Sequence, residues 1–497
     1  MADGTQTYLF AFGPLSGLND IANGVASGGT EFASTFNTPY DPSATSGPAM
    51  NGAVGLAIDN IPATVTDAQG NVTGTYNQCV LGGLNPNSSI PDACNAGHVD
   101  PRQIMDVGVM NGNQPAPLMS IDEDDEYFLT LTNVGMIMRP DLFEQHTVHF
   151  HGYPNASSFY DGVPDASVAI NIGGSFTYYY LAPDAGTYFW HCHITPPEHL
   201  QMGMVGQLYV RPRQNRYAGN PYDGLSAQQG DVRTKCGNDI LCSSPLPPAN
   251  TNPHALNQSG SPTLYAYNDG DGSTAYDVEY PLQIHGFDPN FHFVGMTFNP
   301  EGFVDMKDKY FLLNGRSYPD TVNDTGNDTA SGQNPNALGP STASTFVGQP
   351  VASKALYTQD ADGVIRPSQP LNAIINIPFG GKALLRISDL DVTEFQTLAS
   401  LGIPMHVIAL NARLLRDLEG NDTTYYSNSI TLGGGESLDV ILDASDKSKY
   451  PVHSTFYLYT PNLDHLSNDA ENFGGLMTEV HICGSVDPTT HAGSNCQ

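Results

Sequence analysis

Two short stretches of the chain concentrate side chains that bind metal ions. The first, EQHTVHFHGYPNAS at residues 144–157, contains three histidines within six positions. The second, GTYFWHCHITPPEHLQMGM at residues 186–204, contains three more histidines, two methionines and Cys192. Imidazole, thiolate and thioether groups are favoured ligands of zinc and copper. The two stretches therefore predict at least one metal site.

Strand alternation divides these side chains between two faces. Successive residues of a β-strand point to opposite sides of the sheet. One face is predicted to receive two H-x-H pairs, made of His149, His151, His191 and His193. His146 lies an odd number of residues from the first pair, and Cys192 lies between the members of the second, so both point to the other face.

The face that carries Cys192 has the composition of a blue-copper site. His146, Cys192 and His199 supply two imidazoles and one thiolate, and Met204 supplies a weak axial thioether, with Met202 as the alternative. This is the ligand set of electron-transfer copper centres. An isolated cysteine is also common as a buried core thiol, but a core thiol does not require histidines on both sides.

The face with four histidines predicts a second metal site. Any one of the four, taken alone, is more often a structural histidine than a ligand. Two pairs on the same face beside a candidate copper thiolate instead favour metal binding.

The elements that position these residues are predicted to be β-strands. Short runs rich in Val, Ile, Tyr, Phe and Thr alternate with Gly, Asn, Asp and Pro, which favours an all-β chain of two sandwiches. A first domain is predicted over residues 1–213, with a first strand at 5–13 and a long surface insertion at about 14–100. A linker or loop region follows at 214–275, and a second domain spans 276–497.

The charge of the chain limits its partners. Asp and Glu number 51 against 18 Lys and Arg, which gives a formal net charge of −33. Such a surface repels phosphate backbones and anionic lipids, so nucleic acid is not an expected partner. The sequence has no apolar run of membrane-spanning length and no signal-peptide pattern, and we interpret its first residues as a mature or engineered start.

The seven cysteines indicate an oxidising compartment. Their spacing predicts three local disulfides, Cys79–Cys94, Cys236–Cys242 and Cys483–Cys496, and leaves Cys192 as the odd thiol. We therefore expect a periplasmic or extracellular protein.

The motifs HTVHFHG, YDGVP, GGSFTYYYLAPDAGTYFWHCH and HLQMGM resemble the multicopper oxidase and copper nitrite reductase superfamily. The resemblance covers residues 106–212 and implies cupredoxin-like Greek-key sandwiches with copper as the cofactor. This segment is similar to laccase-type first domains. The similarity implies that His149, His151, His191 and His193 supply half of the ligands of a type 2/type 3 cluster. Asp161 matches the acid that aids proton delivery to reduced dioxygen, although an ordinary turn aspartate is an equal alternative.

The resemblance differs between the two branches of the superfamily. Cys192 and His146 give the domain its own type 1 copper, as in nitrite reductases, whereas laccase-type first domains usually lack that cysteine. Nitrite reductases in turn typically have an aspartate at the position of His149 and no ligand at that of His193. The chain therefore combines features of both branches.

The second domain resembles the copper-free middle domain of three-domain oxidases. It contains no H-x-H pair, and its scattered histidines, including His406 and His465 on predicted strands, are more often structural. The remaining cluster ligands are expected from a second copy across a symmetric interface or from another chain.

The resemblance implies an oxidase that takes electrons at the type 1 copper and reduces dioxygen at the cluster. The donor is a small molecule, a metal ion or a redox protein, and a homo-oligomer with copper at a subunit interface is expected. A nitrite reductase-like enzyme and a non-catalytic blue-copper protein are the alternatives.

Overall fold

A computed structural model describes most of both predicted sandwiches. The described residues are 11–12, 62–66, 72–77, 114–116, 118–123, 125–133, 144–153, 157–172, 174–182, 184–215, 264–269, 272–294, 302–322, 357–359, 365–367, 371–488 and 491–496. The predicted strand at 5–13, except for two residues, and the pairs Cys79–Cys94 and Cys236–Cys242 lie outside them. The same holds for most of the predicted insertion and linker.

The first sandwich consists of two sheets around an aromatic core. A separate hairpin within the predicted insertion is formed by β1 (Pro62–Thr66) and β2 (Val72–Asn77). The strands of the sandwich are β3 (Met119–Asp122), β4 (Glu126–Thr132), β5 (His149–His151), β6 (Ser175–Leu181), β7 (Gly186–His191) and β8 (Val205–Arg211). One sheet has the order β3–β8–β7–β5, and β4 pairs with β6 in the other. The core between them includes Phe150, Tyr178, Tyr180, Trp190 and Leu208.

The second sandwich is larger and has an aliphatic core. Its first half contains β9 (Leu264–Tyr265), β10 (Ala275–Tyr276), β11 (Val278–Phe287), β12 (Tyr310–Leu313), β13 (Tyr357–Gln359), β14 (Ile365–Pro367), β15 (Ile375–Pro378), β16 (Lys382–Asp389) and β17 (Gln396–Leu401). Its second half contains β18 (Met405–Leu410), β19 (Arg413–Leu414), β20 (Tyr425–Ser427), β21 (Ser429–Leu432), β22 (Glu436–Asp443), β23 (Thr455–Tyr459), β24 (Met477–Cys483), β25 (Ser485–Val486) and β26 (Gly493–Ser494).

Two sheets face each other across this second core. One has the order β12–β11–β16–β22–β18–β19 with β20 beside β18, and the other has the order β15–β24–β23–β17–β21. Alternate residues of β11, β16 and β22 point into the core, so these strands carry an apolar residue at every second position. The all-β prediction with cupredoxin-like sandwiches is confirmed, and the domain boundaries stay predictions.

Helices are few and short in the described part of the chain. They are α1 (Pro196–Gln201) and α2 (Pro289–Val294), supplemented by 3₁₀ turns at Ser158–Tyr160, Arg213–Asn215, Phe303–Asp305, Asp320–Val322 and Leu463–His465. No helix among the described residues has the length and apolar character needed to cross a bilayer. The predicted disulfide Cys483–Cys496 is present, and Cys192 is a buried free thiol.

Polar contacts join the two sandwiches where β7 faces β16 and β22. Arg386 is completely buried, binds Glu279 at 2.9 Å and donates to Thr187 at 3.2 Å. Thr187 in turn donates to Asp439 at 2.5 Å. Because a buried charge is tolerated only when it is paired and hydrogen-bonded, these contacts fix the second sandwich in one position on the first.

Candidate metal centre

The pairing of β5 with β7 sets which side chains share a face. The antiparallel register places His149 opposite His191, Phe150 opposite Trp190 and His151 opposite Phe189. Phe150 and Trp190 point into the core of the first sandwich, on the same side as Cys192. The histidines opposite one another therefore point to the other side, toward the second sandwich.

The structure brings Cys192, His146 and His199 together. The Sγ atom of Cys192 lies 3.3 Å from Nδ1 of His199 and 3.7 Å from Nδ1 of His146. Their ligand atoms all lie within 4.8 Å of one another, and Cys192 and His199 are fully buried. A thiolate and two imidazoles at such mutual distances can converge on one metal ion.

The loop after β7 delivers His199 and Met204 to this group, which we name the cysteine set. Thr195 has a positive φ of 42° and precedes Pro196, which begins α1, so the chain turns sharply and returns His199 toward Cys192. The amide of Cys192 donates to the carbonyl of Met204 at 3.1 Å, which makes Met204 its cross-strand neighbour. Met204 and Met202 are both buried in the same core cluster as Cys192.

The cysteine set is charged when no metal is bound. Burial would raise the pKa of Cys192, but hydrogen bonds with His146 and His199 overcome it and lower that pKa to about 5. Burial would likewise lower the pKa of His199, yet contacts with Cys192 and Glu144 raise it to about 9. At neutral pH the set is therefore a thiolate paired with an imidazolium.

Sequence reasoning missed Glu144 as part of this arrangement. Its carboxylate contacts Nε2 of His199, the ring nitrogen that faces away from Cys192. A usable signal was present, because Glu144 lies two residues before His146 and alternation places both on one side of an extended segment.

The other face carries the histidine set, defined as His149, His151, His191 and His193. Ligand atoms of the first three lie within 4.8 Å of one another, and Nδ1 of His151 is 3.4 Å from Nε2 of His191. The ring centre of His193 is 5.1 Å from that of His149 and 5.6 Å from that of His191, similar to the 5.7 Å between the ring centres of His149 and His151, so all four rings pack together. The backbone amide of His193 donates to Thr147 Oγ1 at 3.0 Å.

Main-chain carbonyls orient two of these rings. Nδ1 of His149 donates to the carbonyl of Asp161 at 2.7 Å, and Nδ1 of His191 donates to the carbonyl of Cys192 at 2.8 Å. With the proton on Nδ1, each ring presents its Nε2 lone pair, which is the form that binds a metal ion.

Burial disfavours the charged form of three members of the histidine set, His149, His151 and His191. Burial lowers the pKa of His191 to about 3. Burial, followed by the nearby His149 and His193, lowers the pKa of His151 to about 4. The pKa of His149 is also lowered by burial, against the opposing effect of Asp161. Three close imidazoles cannot all be protonated, so their lone pairs are available to a metal ion at neutral pH.

Asp161 lies beside the histidine set. Its carboxylate Oδ2 is 3.6 Å from Nδ1 of His149, and its side chain is 28% exposed. The next residue, Gly162, has φ +80°, and a Cβ atom there would lie 1.9 Å from the carbonyl oxygen of Val148. Only glycine therefore allows the turn that presents the Asp161 carbonyl to His149.

The second sandwich borders the histidine set but contributes no ligand from its described residues. Gly435 contacts His151, since a Cβ at residue 435 would be 3.2 Å from Cε1 of that ring. His406 donates to or accepts from Thr424, whereas His465 binds Gln396 and Glu394 and stacks on Phe311. The prediction that His465 lies on a strand is wrong, because it ends a 3₁₀ turn.

A family comparison identifies the segment that holds both sets. The sequence model described as multicopper oxidase matches residues 94–215, and every proposed ligand lies within that range. Residues 94–215 are therefore similar to a multicopper oxidase domain. Proteins of the multicopper oxidase family bind copper, and thiol and imidazole side chains such as those of the two sets are suitable donors for it.

Individual relatives match this segment over a similar length. Laccase abr2 of Aspergillus fumigatus is 32% identical over 126 residues, which cover 25% of this chain and 20% of that protein. L-ascorbate oxidase of Cucumis sativus is 32% identical over 120 residues, which cover 23% of this chain and 18% of that protein. The chain thus matches about a fifth of the length of these relatives.

Solved structures show a broader but weaker similarity. A blue copper oxidase from Nitrosomonas europaea has a TM-score of 0.45 and 19% identity, and the match covers 74% of this chain and 77% of that one. A copper nitrite reductase from Nitrosomonas europaea has a TM-score of 0.41 and 14% identity over 88% of this chain and 96% of that one.

Proposed function

We propose that this protein is a copper-dependent oxidase that takes electrons one at a time from a donor and uses them to reduce dioxygen to water. The observation that carries the proposal is the position of the two ligand sets about one strand end. Cys192 belongs to the cysteine set, and the residue before it, His191, belongs to the histidine set. A single peptide bond therefore joins a candidate electron-entry site to a candidate oxygen site.

Both sets fit copper by the chemistry of their donors. A thiolate, two imidazoles and a thioether are the ligands of type 1 copper, which Cys192, His146, His199 and Met204 would hold, and clustered imidazoles suit type 2 and type 3 copper. When bound, copper would supply one-electron redox chemistry at the cysteine set and dioxygen reduction at the histidine set.

The remaining roles fall to the protein around these ligands. The carbonyls of Asp161 and Cys192 hold the rings of His149 and His191 with Nε2 directed into the site. The partly exposed carboxylate of Asp161 reaches within 3.6 Å of His149, and we assign it the delivery of protons from solvent to the oxygen side.

The histidine set needs further ligands to form a trinuclear cluster. Within the described ranges, the two metal-competent groups of His, Cys, Asp and Glu both belong to the first sandwich. We assign the missing ligands to a second copy of the chain across a symmetric interface, so that the working enzyme is a homo-oligomer. The donor is a small molecule, a metal ion or a redox protein, and the Cys483–Cys496 disulfide supports a periplasmic or extracellular site of action.

A second candidate is a nitrite reductase-like enzyme with one type 2 copper. The observation in its favour is that Nδ1 of His151 lies 3.4 Å from Nε2 of His191, so these two imidazoles and a histidine from a neighbouring chain would hold one copper ion. Three protein ligands with one open position are typical of a mononuclear catalytic site.

The experiment that separates these functions measures copper content and turnover on protein of known oligomeric state. We expect blue absorbance, oxygen uptake with a reducing donor, and about four copper ions per chain, or between about two and three if two chains share a cluster. Cys192→Ser is the matched control, because it removes the thiolate and leaves the histidine set in place.

Each other outcome points to a different function. Nitrite turnover without oxygen uptake, at about two copper ions per chain, would favour the nitrite reductase-like enzyme. A blue protein that turns over neither acceptor would contradict both enzymes and leave an electron carrier.

A further inference from the structure

The buried ligand His199 has an acidic partner at the edge of the cysteine set. The ring of His199 is fully buried, whereas the Glu144 side chain that contacts its Nε2 is 30% exposed. Nδ1 of the same ring faces Cys192 at 3.3 Å. Glu144 therefore lies between solvent and the imidazole, on the side opposite the thiolate.

Main-chain contacts fix the position of this carboxylate. Nδ2 of the buried Asn133 donates to the carbonyl of Glu144 at 2.9 Å and to that of Ile170 at 2.9 Å. Two residues along, the amide of His146 donates to the carbonyl of Ile170 at 3.1 Å. The segment that carries Glu144 is thus anchored at the same place as the segment that carries the ligand His146.

A carboxylate in this position affects a metal-bound imidazole in two ways. It accepts the Nε2 proton, which fixes the tautomer and leaves the Nδ1 lone pair for the metal, and it makes the imidazole a more basic ligand. Its negative charge also stabilises the more positive oxidation state of a nearby ion, because the Coulomb attraction is larger for the higher charge. Both effects favour oxidised over reduced copper.

We propose that Glu144 is a positioning residue that lowers the reduction potential of the copper held by Cys192, His146 and His199. The inference rests on the proposed function only in that this set holds copper. A lower potential weakens the set as an electron acceptor, so Glu144 restricts the donors of the enzyme to readily oxidised compounds.

A purely structural role for Glu144 makes a different prediction. A carboxylate that only satisfies a buried imidazole affects the stability of the fold and leaves the potential of the copper unchanged. The chain offers a matched control for this case, since Glu394 contacts Nε2 of the buried His465 at 3.2 Å, far along the sequence in the second sandwich.

The test compares Glu144→Gln, Glu394→Gln and the unchanged full-length protein, all loaded with copper. The blue absorbance is followed during titration against one-electron mediators, and circular dichroism verifies that each variant is folded. For Glu144→Gln we expect the equilibrium to shift roughly tenfold toward reduced copper, which corresponds to about 59 mV for one electron. Glu394→Gln is expected to leave the equilibrium unchanged.

Glu144→Asp provides a second measurement if Glu144→Gln loses the blue absorbance. Glu144→Asp retains the charge at a shorter reach, so its potential is expected to lie between those of the unchanged protein and Glu144→Gln. Equal potentials for the unchanged protein and a blue Glu144 variant, or equal shifts for Glu144→Gln and Glu394→Gln, would overturn the proposal.

The potential and the turnover report on separate questions. A raised potential in Glu144→Gln supports the inference even if none of the proteins consumes oxygen, in which case only the oxidase function fails. Oxygen uptake by the unchanged protein, with no change of potential in Glu144→Gln, would support the oxidase function and overturn the inference about Glu144.

Discussion

The cysteine set and the histidine set lie on opposite faces of one sheet and differ in how their ligands are held before a metal binds. In the cysteine set, a thiolate with its pKa lowered to about 5 attracts an imidazolium with its pKa raised to about 9. In the histidine set, burial lowers the pKa of His149, His151 and His191, that of His191 to about 3, and so favours the neutral form of these three imidazoles. The side chains of the cysteine set orient one another through their own contacts, whereas the rings of His149 and His191 are oriented by main-chain carbonyls.

This difference has a chemical consequence for metal binding. A metal ion that enters the cysteine set must displace the proton on Nδ1 of His199, so binding there releases a proton and weakens in acid. A metal ion that enters the histidine set meets free lone pairs, and its affinity depends on how rigidly the carbonyls of Asp161 and Cys192 orient the rings. Each set should therefore be sensitive to a different kind of substitution.

The largest effect is expected from Cys192→Ser. The change removes the thiolate on which both His146 and His199 converge, so we expect complete loss of blue absorbance. Copper in the histidine set should remain, because Cys192 contributes only its carbonyl to that face. Electron paramagnetic resonance of the copper-loaded variant checks this result, and loss of all copper signals would show that the two sets are not independent.

Gly435→Ala is expected to weaken copper binding at the histidine set and to leave the cysteine set intact. Gly435 has φ +100°, so alanine there costs about 1–2 kcal/mol of backbone strain, and its Cβ would press on the ring of His151. We expect copper affinity at the histidine set to fall about tenfold while the blue absorbance is retained. Gly272→Ala, at φ +80° and with Tyr265 at an ordinary 3.6 Å from the Cβ position, is the control for backbone strain alone. A loss of blue absorbance in Gly435→Ala would contradict the assignment of Gly435 to one face.

A smaller, sharper test concerns the axial position of the cysteine set. Met204→Leu removes the weak thioether, and the reduction potential of the blue copper should rise because this ligand tunes it. We expect the equilibrium between oxidised and reduced copper to shift severalfold toward the reduced form. Met202→Leu makes the same chemical change in the same core cluster and is expected to leave the potential unchanged. Mediator titration of both variants decides between them, and a shift in Met202→Leu alone would exchange their roles.

The smallest expected effect is on the acid stability of the metal-free protein. The pKa of His151 is lowered from 6.5 to about 4, so between these values the unfolded chain binds a proton that the folded chain does not. The free energy of unfolding therefore falls as the pH falls through that window, by about 1 kcal/mol for His151 after allowance for solvent screening. In His151→Gln this part of the pH dependence should disappear.

Urea unfolding at a series of pH values measures this effect. The exposed His453 provides the control variant, His453→Gln, which is expected to keep the full pH dependence. An unchanged slope in His151→Gln would mean that other groups carry the acid sensitivity.

Much of the fold and of both ligand sets was predictable because strand alternation is a local rule. Once residues 149–151 and 186–191 are strands, the two faces follow from parity, and the β5–β7 register then brings His149 opposite His191. The all-β architecture likewise followed from the short apolar runs between turn residues.

The residues that sequence reasoning missed act through contacts that residue types do not encode. Gly435 reaches His151 from the other sandwich, and no local pattern connects positions so far apart in the chain. The contact between Glu144 and His199 depends on the return of the chain through α1. His465 lies in a 3₁₀ turn instead of the predicted strand, because the side chain of Asn462 accepts from the amide of Asp464 and caps that turn.

The orientation of His149 by a main-chain carbonyl has consequences for how the chain tolerates mutation. The acceptor at residue 161 is a peptide oxygen, so it survives any side-chain replacement that preserves the turn made possible by Gly162. A peptide oxygen also does not titrate, so it accepts from Nδ1 of His149 whether the imidazole is neutral or protonated. Mutational drift at residue 161 could therefore remove or restore an acidic function there without disturbing the geometry of the ligand beside it.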